Sequence, residues 1–264
     1  MRLKEPAMDK LFDLTGKTAL VTGGSRGIGE MIAEGFVARG VKTYISSRKA
    51  DVCDETARRL SSGQGECVSI PADLSSMDGI QYLTGELANR EERLDILVNN
   101  AGAVWGEPVD GFPENGWDKV MTVNLKLPFF LTQNLLPYLT AAASHENPAR
   151  VINIGSIDGL HVTDLPTFSY GASKAGLHHL TRILALHLAE RHINVNAIAP
   201  GPFETKMMAH TLKTAGDKIV KRVPRKRIGV ATDMAGAAIF LSSMASSYVT
   251  GVVLPVDGGL TGTL

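Results

Sequence analysis

The chain is poor in cysteine, in aromatic side chains and in net charge, and it has no long apolar run. Its two cysteines, Cys53 and Cys67, stand outside any Cys-x-x-Cys pair, so a thiolate metal site or dithiol redox motif has no support. Two free thiols fit a reducing compartment. Lys+Arg and Asp+Glu both number 27, so no global field draws the protein to nucleic acid or an anionic membrane. No stretch approaches the roughly 20 apolar residues of a membrane span. The segment Met1 to Lys17 mixes charges and lacks the apolar region of a secretory signal. The expected location is the cytoplasm. The seven histidines show no metal-ligand spacing, and the adjacent His178 and His179 cannot share one helix face, so no metal is expected.

What is present is a regular alternation over 264 residues. β-rich runs at Thr18–Thr22, Val41–Ser46, Cys67–Ile70, Leu94–Asn99, Val151–Ser156, Val195–Ala199 and Val252–Val256 are separated by helical patterns. The helices are expected at Ile28–Arg39, Asp51–Ser61, Ser76–Asn89, Glu114–Ala143, Ser169–Arg191 and Thr232–Met244. Such alternation predicts an α/β fold: one doubly wound parallel sheet of about seven strands, of Rossmann type, with helices on both faces. With no linker and no repeat, residues 1–264 read as a single catalytic domain, with 1–14 as an N-terminal extension. The segment Pro200–Arg227 breaks the alternation and is expected as a substrate lid, because long loops in compact domains usually serve binding.

The first strand runs into Thr22-Gly-Gly-Ser-Arg-Gly-Ile-Gly29 and then a helix, the context a dinucleotide loop requires. Gly23, Ser25, Arg26, Gly27, Ile28 and Gly29 are therefore candidate pyrophosphate contacts. The second strand ends without the acid that would hold a ribose 2′-hydroxyl. Ser46, Ser47, Arg48 and Lys49 stand there instead. Arg48 and Arg26 are suited to a 2′-phosphate, which makes NADPH/NADP+ the expected cofactor.

Tyr170-Gly-Ala-Ser-Lys174 places a phenol and an ammonium on one helix face. The ammonium is expected to lower the phenol's pKa and so suit Tyr170 to acid–base work. Ser156, at the end of the fifth strand, is placed to donate to a carbonyl oxygen.

The ordered set Thr22–Gly29, Asn99-Asn-Ala-Gly102, Asn124, Ser156, Tyr170-xxx-Lys174 and Pro200-Gly201 resembles the short-chain dehydrogenase/reductase family from about Thr15 to Gly259. The resemblance implies a catalytic tetrad of Ser156, Tyr170, Lys174 and Asn124, with Asn124 holding a water that relays protons to Lys174. It implies that Asn100, Ala101 and Gly102 support the sheet and the adenosine side, and that Asp73, with Leu74, meets the adenine. Pro200, Gly201 and Thr205 would flank the nicotinamide. The long helices Glu114–Ala143 and Ser169–Arg191 would pair across a two-fold axis in a homotetramer. Within the family the chain is most similar to the 3-oxoacyl-[acyl-carrier-protein] reductases of fatty acid biosynthesis and lipid metabolism. Its stretch Ile45–Glu55 resembles reductases assigned to the β-hydroxyacyl part of rhamnolipids.

The implied function is NADPH-dependent reduction of a 3-oxoacyl thioester, on carrier protein or CoA. Alternatives are an NADP-dependent reductase or dehydrogenase of another ketone or alcohol, and a non-catalytic dinucleotide sensor. One departure bears on the carrier. The family's docking bases before strand five are replaced by Ala141–Ala149 with only Arg150 following, although Arg191 matches a docking position. A basic cluster from Lys213 to Arg227 offers either a compensating surface or an ordinary solvated face. His161 and Trp105 are candidates for the substrate side, and Phe203, Met207 and Met208 for an apolar lid face, each against the alternative of plain solvation or packing.

Overall fold

The computed structural model describes residues 8–61, 64–206 and 208–263. Met207 and residues 1–7 of the expected 1–14 extension therefore lie outside the described residues. Seven strands, β1 Thr18–Thr22, β2 Lys42–Ser46, β3 Cys67–Ser69, β4 Ile96–Asn99, β5 Ala149–Ile154, β6 Ile193–Pro200 and β7 Val253–Val256, form one parallel sheet in the order β3-β2-β1-β4-β5-β6-β7. The order reverses between β1 and β4. That is the switch point where open α/β sheets bind ligands outside the strands' carboxyl ends.

Alternate side chains feed two cores, as the period-two geometry of a strand dictates. Ala19, Val21, Ile96, Val98, Ile152 and Ile154 face one layer. There they meet α1 (Gly27–Val37), α2 (Ala50–Leu60) and α8 (Ala231–Ser242) through Phe36, Cys53 and Leu241 among others. Leu20, Leu97 and Val151 face the other layer, under α3 (Met77–Ala88), α5 (Leu127–Ala142) and α6 (Phe168–Leu188).

Two expectations needed correction. The stretch Glu114–Ala143 is not one regular helix. α4 (Glu114–Met121) passes into a widened π turn, Thr122–Lys126, before α5 begins. Pro128 lies four residues after Asn124 and has no N–H, so the carbonyl of Asn124 loses its α-helical donor. Ladder slippage of this kind is frequent at functional sites. The lid is not all loop either. It contains α7 (Ala209–Arg222), whose Leu212, Ile219 and Val220 are half-buried and whose Val223, just beyond it, is buried.

Candidate active site

The glycine loop follows β1 at the switch point, and the end of the neighbouring strand β4 holds its shape. Asn100 Nδ2 donates to the carbonyls of Thr22 (2.8 Å) and Gly23 (3.2 Å). The amides of Asn100 and Ala101 donate to the Thr22 hydroxyl at 2.9 and 3.0 Å. Gly23 has φ +64, and a Cβ there would lie 2.8 Å from Asn100 Nδ2. A Cβ on Gly29 would strike the Gly23 carbonyl. α1 begins at Gly27 with no side-chain cap, leaving its first amides free to meet an anion. A pyrophosphate fits this cradle.

Parallel pairing sets Thr22 beside Ser46, and the Gly23 amide donates to the Ser46 carbonyl at 2.7 Å. Ser47 and exposed Arg48 thus emerge next to Ser25 and exposed Arg26. The Ala72 amide donates to the Ser47 carbonyl, 3.1 Å, which brings exposed Asp73 and buried Leu74 to the same end. Thr205 packs against Gly27 from the lid, 3.3 Å from where a Cβ would stand. Pro200 ends β6, and the Gly201 amide donates to Val256.

The second cluster sits over β4 and β5. Lys174 is buried, and its Nζ donates to the Ile154 carbonyl at 2.7 Å while standing 5.6 Å from the centre of the Tyr170 ring. Ser156 accepts from the Asp158 amide at 3.2 Å and stands close enough to Tyr170 to lower its phenol's pKa. Gly102 lies over this group: a Cβ there would be 3.5 Å from Asn124 Oδ1 and 3.9 Å from Lys174 Nζ. So Ser156, Tyr170, Lys174, Asn124 and Gly102 come together, while Ser47, Arg48, Asp73 and Leu74 lie at the other end of the same edge.

Charge states differ from one expectation. Burial pushes the Tyr170 phenol up to about 12, aided by Asp158 and opposed by Ser156. Burial outweighs the lowering expected from Lys174, whose ammonium donates to the Ile154 carbonyl and lies 5.6 Å from the centre of the ring. Burial pushes Lys174 itself down to about 8. Asn124 is held in place by its side chain. Its side-chain amide donates to the Ala103 carbonyl (2.9 Å) and to Ser173 Oγ (3.0 Å) and accepts from the Ala103 amide (2.8 Å). Its backbone carbonyl lacks an α-helical donor, because the residue four places on is Pro128.

Several other candidates pack instead. Phe203 is buried against Gly229 and is no lid face. Trp105 lies on Gly116 of α4, under Lys119. His161 bonds to the Ile157 carbonyl through Nδ1, 2.8 Å. Arg150 is buried and gives its guanidinium to the carbonyls of Pro148 and Ser243, so it is unavailable for docking, whereas Arg191 is exposed.

Two features were missed in the sequence. A buried polar chain, Thr132–Asn99–Asn153–Thr181, ties α5 and α6 through β4 and β5, with bonds of 2.9–3.2 Å. His178, one turn beyond Lys174, is buried against Gly155 and Gly159. A Cβ on Gly155 would strike its ring, and one on Gly159 would lie 2.8 Å from it. The four-residue spacing of Tyr170, Lys174 and His178 was the available signal.

A dinucleotide cradle at the switch point, joined to a serine, a tyrosine and a buried lysine one strand over, defines an oxidoreductase of the short-chain dehydrogenase/reductase type. A family model described as enoyl-(acyl carrier protein) reductase matches residues 23–261, and the chain belongs to this family. It is 48% identical over 96% of its length, and 99% of the other's, to the rhamnolipids biosynthesis 3-oxoacyl-[acyl-carrier-protein] reductase of Pseudomonas aeruginosa. The solved active-site complex of Pseudomonas aeruginosa RhlG with NADP superposes with a TM-score of 0.93 at 48% identity, covering 96% of this chain and all of that one. Escherichia coli 2-dehydro-3-deoxy-D-gluconate 5-dehydrogenase is 36% identical over 94% of this chain and 96% of its own. Among the described residues no helix is long and apolar enough to cross a membrane.

Proposed function

We propose that the protein reduces 3-oxoacyl thioesters to 3-hydroxyacyl thioesters with NADPH, supplying the β-hydroxyacyl part of rhamnolipids. The observation that carries this reading is the Ser156–Tyr170–Lys174 cluster beside a 2′-phosphate-ready edge, in a chain 48% identical to a reductase of that kind. The cradle of Gly23, Ser25, Arg26, Gly27, Ile28 and Gly29 holds the pyrophosphate. Ser47 and Arg48 hold the 2′-phosphate, Asp73 and Leu74 the adenine side, and Asn100 to Gly102 the loop itself. Pro200, Gly201 and Thr205 flank the nicotinamide. The cofactor supplies the hydride.

The chain's own residues handle the oxygen. Ser156 donates a hydrogen bond to the 3-oxo oxygen, and Tyr170 gives it a proton as the carbon is reduced. The phenol's raised pKa keeps that proton in place until charge develops on the oxygen. Lys174 then favours the phenolate by its charge, and the Asn124 carbonyl holds the water through which a proton returns. The chain acts as a single catalytic domain in the cytoplasm, as a homotetramer, with no nucleic-acid or membrane partner. A monomeric mass by light scattering at micromolar concentration would overturn the tetramer.

The sugar-acid relative favours a second reading, reduction of another ketone. An NADPH-oxidation screen over 3-oxoacyl thioesters of several lengths, on carrier protein and on CoA, beside keto sugar acids, separates the two. Turnover of thioesters is expected. Turnover of sugar acids alone would replace the first reading with the second, and turnover of neither would leave a dinucleotide sensor.

A further inference from the structure

The whole chain has no net charge, yet residues 213–227 hold seven cations against one acid, Asp217. The structure shows how they are arranged. α7 turns its apolar residues inward. Lys213, Lys218, Lys221 and Arg222 are all exposed on the opposite side, as is Arg225 beyond its end. Among the described residues no ion pair engages any of these five. Arg227, in contrast, is held by Asp233 at 2.6 Å, and exposed pairs such as Arg90–Glu86 tie up cations elsewhere.

The cationic face is also fixed relative to the site. At its start the lid leaves β6 through Pro200-Gly201 and packs Thr205 on the glycine loop. At its end Val223 and Pro224 lie against Gly258 and Gly259, and the Arg225 amide donates to the Gly258 carbonyl at 3.2 Å. Both anchors are at the carboxyl edge of the sheet, where Ser156 and Tyr170 stand. A macromolecule delivering a tethered thioester to that edge must rest on neighbouring surface. The buried Arg150 offers it no charge.

We infer that the outer face of α7, through Lys218, Lys221 and Arg222, docks the acidic surface of an acyl-carrier protein that presents the 3-oxoacyl thioester. This rests on the proposed function and adds the surface that selects the carrier. Unpaired, solvated cations of this kind act mainly on encounter rate and register.

The test compares one acyl group on three vehicles, namely acyl-carrier protein, CoA and a short uncharged thiol. Lys218→Glu, Lys221→Glu and Arg222→Glu are combined, and a Gln triple serves as the milder variant should the first not fold. For the charge reversal, kcat/KM on the carrier substrate is expected to fall about tenfold or more, with the uncharged thioester within about twofold. Raising salt should slow the wild type on the carrier substrate and scarcely affect the variant. An unchanged carrier rate would show a merely solvated face. Equal losses on all three vehicles would mean that α7 acts in closure. A loss confined to CoA would assign the face to that molecule's phosphates. Each of these three results overturns the inference. If the wild type reduces none of the thioesters, it is the proposed function that fails.

Discussion

Lys174 gives its 2.7 Å hydrogen bond to the carbonyl of Ile154, two residues before Ser156. The cation is thereby moored to the strand end that carries the serine, which ties the helix of Tyr170 and Lys174 to β5. Burial holds its pKa near 8, so the ammonium is complete only below that pH. Reduction is expected to be steady near neutrality and to fall as pH rises through about 8, following kcat in single-turnover experiments. A fall that begins only above pH 10 would remove Lys174 from the titration.

Tyr170→Phe is expected to abolish turnover and leave NADPH binding intact by fluorescence titration. General acid catalysis typically contributes about 10²–10⁴-fold. A variant retaining more than about a tenth of the wild-type rate would show that another group supplies the proton.

Arg48→Asp should reverse the preference for NADPH over NADH. A charge-assisted hydrogen bond contributes about 1.5–3 kcal/mol, or roughly ten- to hundredfold in affinity. The new carboxylate repels the 2′-phosphate and accepts from a 2′-hydroxyl. kcat/KM for both cofactors at one ionic strength decides it, and an unchanged ratio would make exposed Arg48 a bystander.

His178 predicts an acid-side loss of stability. Burial lowers its pKa from 6.5 to about 4, so the unfolded chain takes up a proton that the folded chain refuses. Stability should therefore fall as pH drops from about 6.5 to 4, by an amount on the order of 3 kcal/mol. Denaturant melts of wild type and His178→Asn across this range give the difference. Parallel curves would mean that His178 does not titrate in the transition.

The strands, their parallel pairing and the cofactor loop were legible because the pattern of each is written locally. β1 runs straight into its glycines, and a fully buried strand such as Ile96–Asn99 is apolar up to its last residue. Tyr170 and Lys174 were legible through helical spacing. The state of the phenol was not, because it depends on how deeply the folded chain buries it beside Ser156 and Asp158. The π turn at Asn124 was written in Pro128 but masked by the continuous apolar pattern around it. α7 was hidden by the expectation of a loop, although Leu212, Ile219 and Val223 recur at helical spacing.

The Asn100 clamp on the carbonyls of Thr22 and Gly23 has a consequence for the energetics of ligand capture. A glycine-rich turn left to itself samples many shapes, and a ligand that must choose one loses affinity to the ordering entropy. Here that entropy is given up during folding, when β4 settles beside β1. The dinucleotide meets a mould already set.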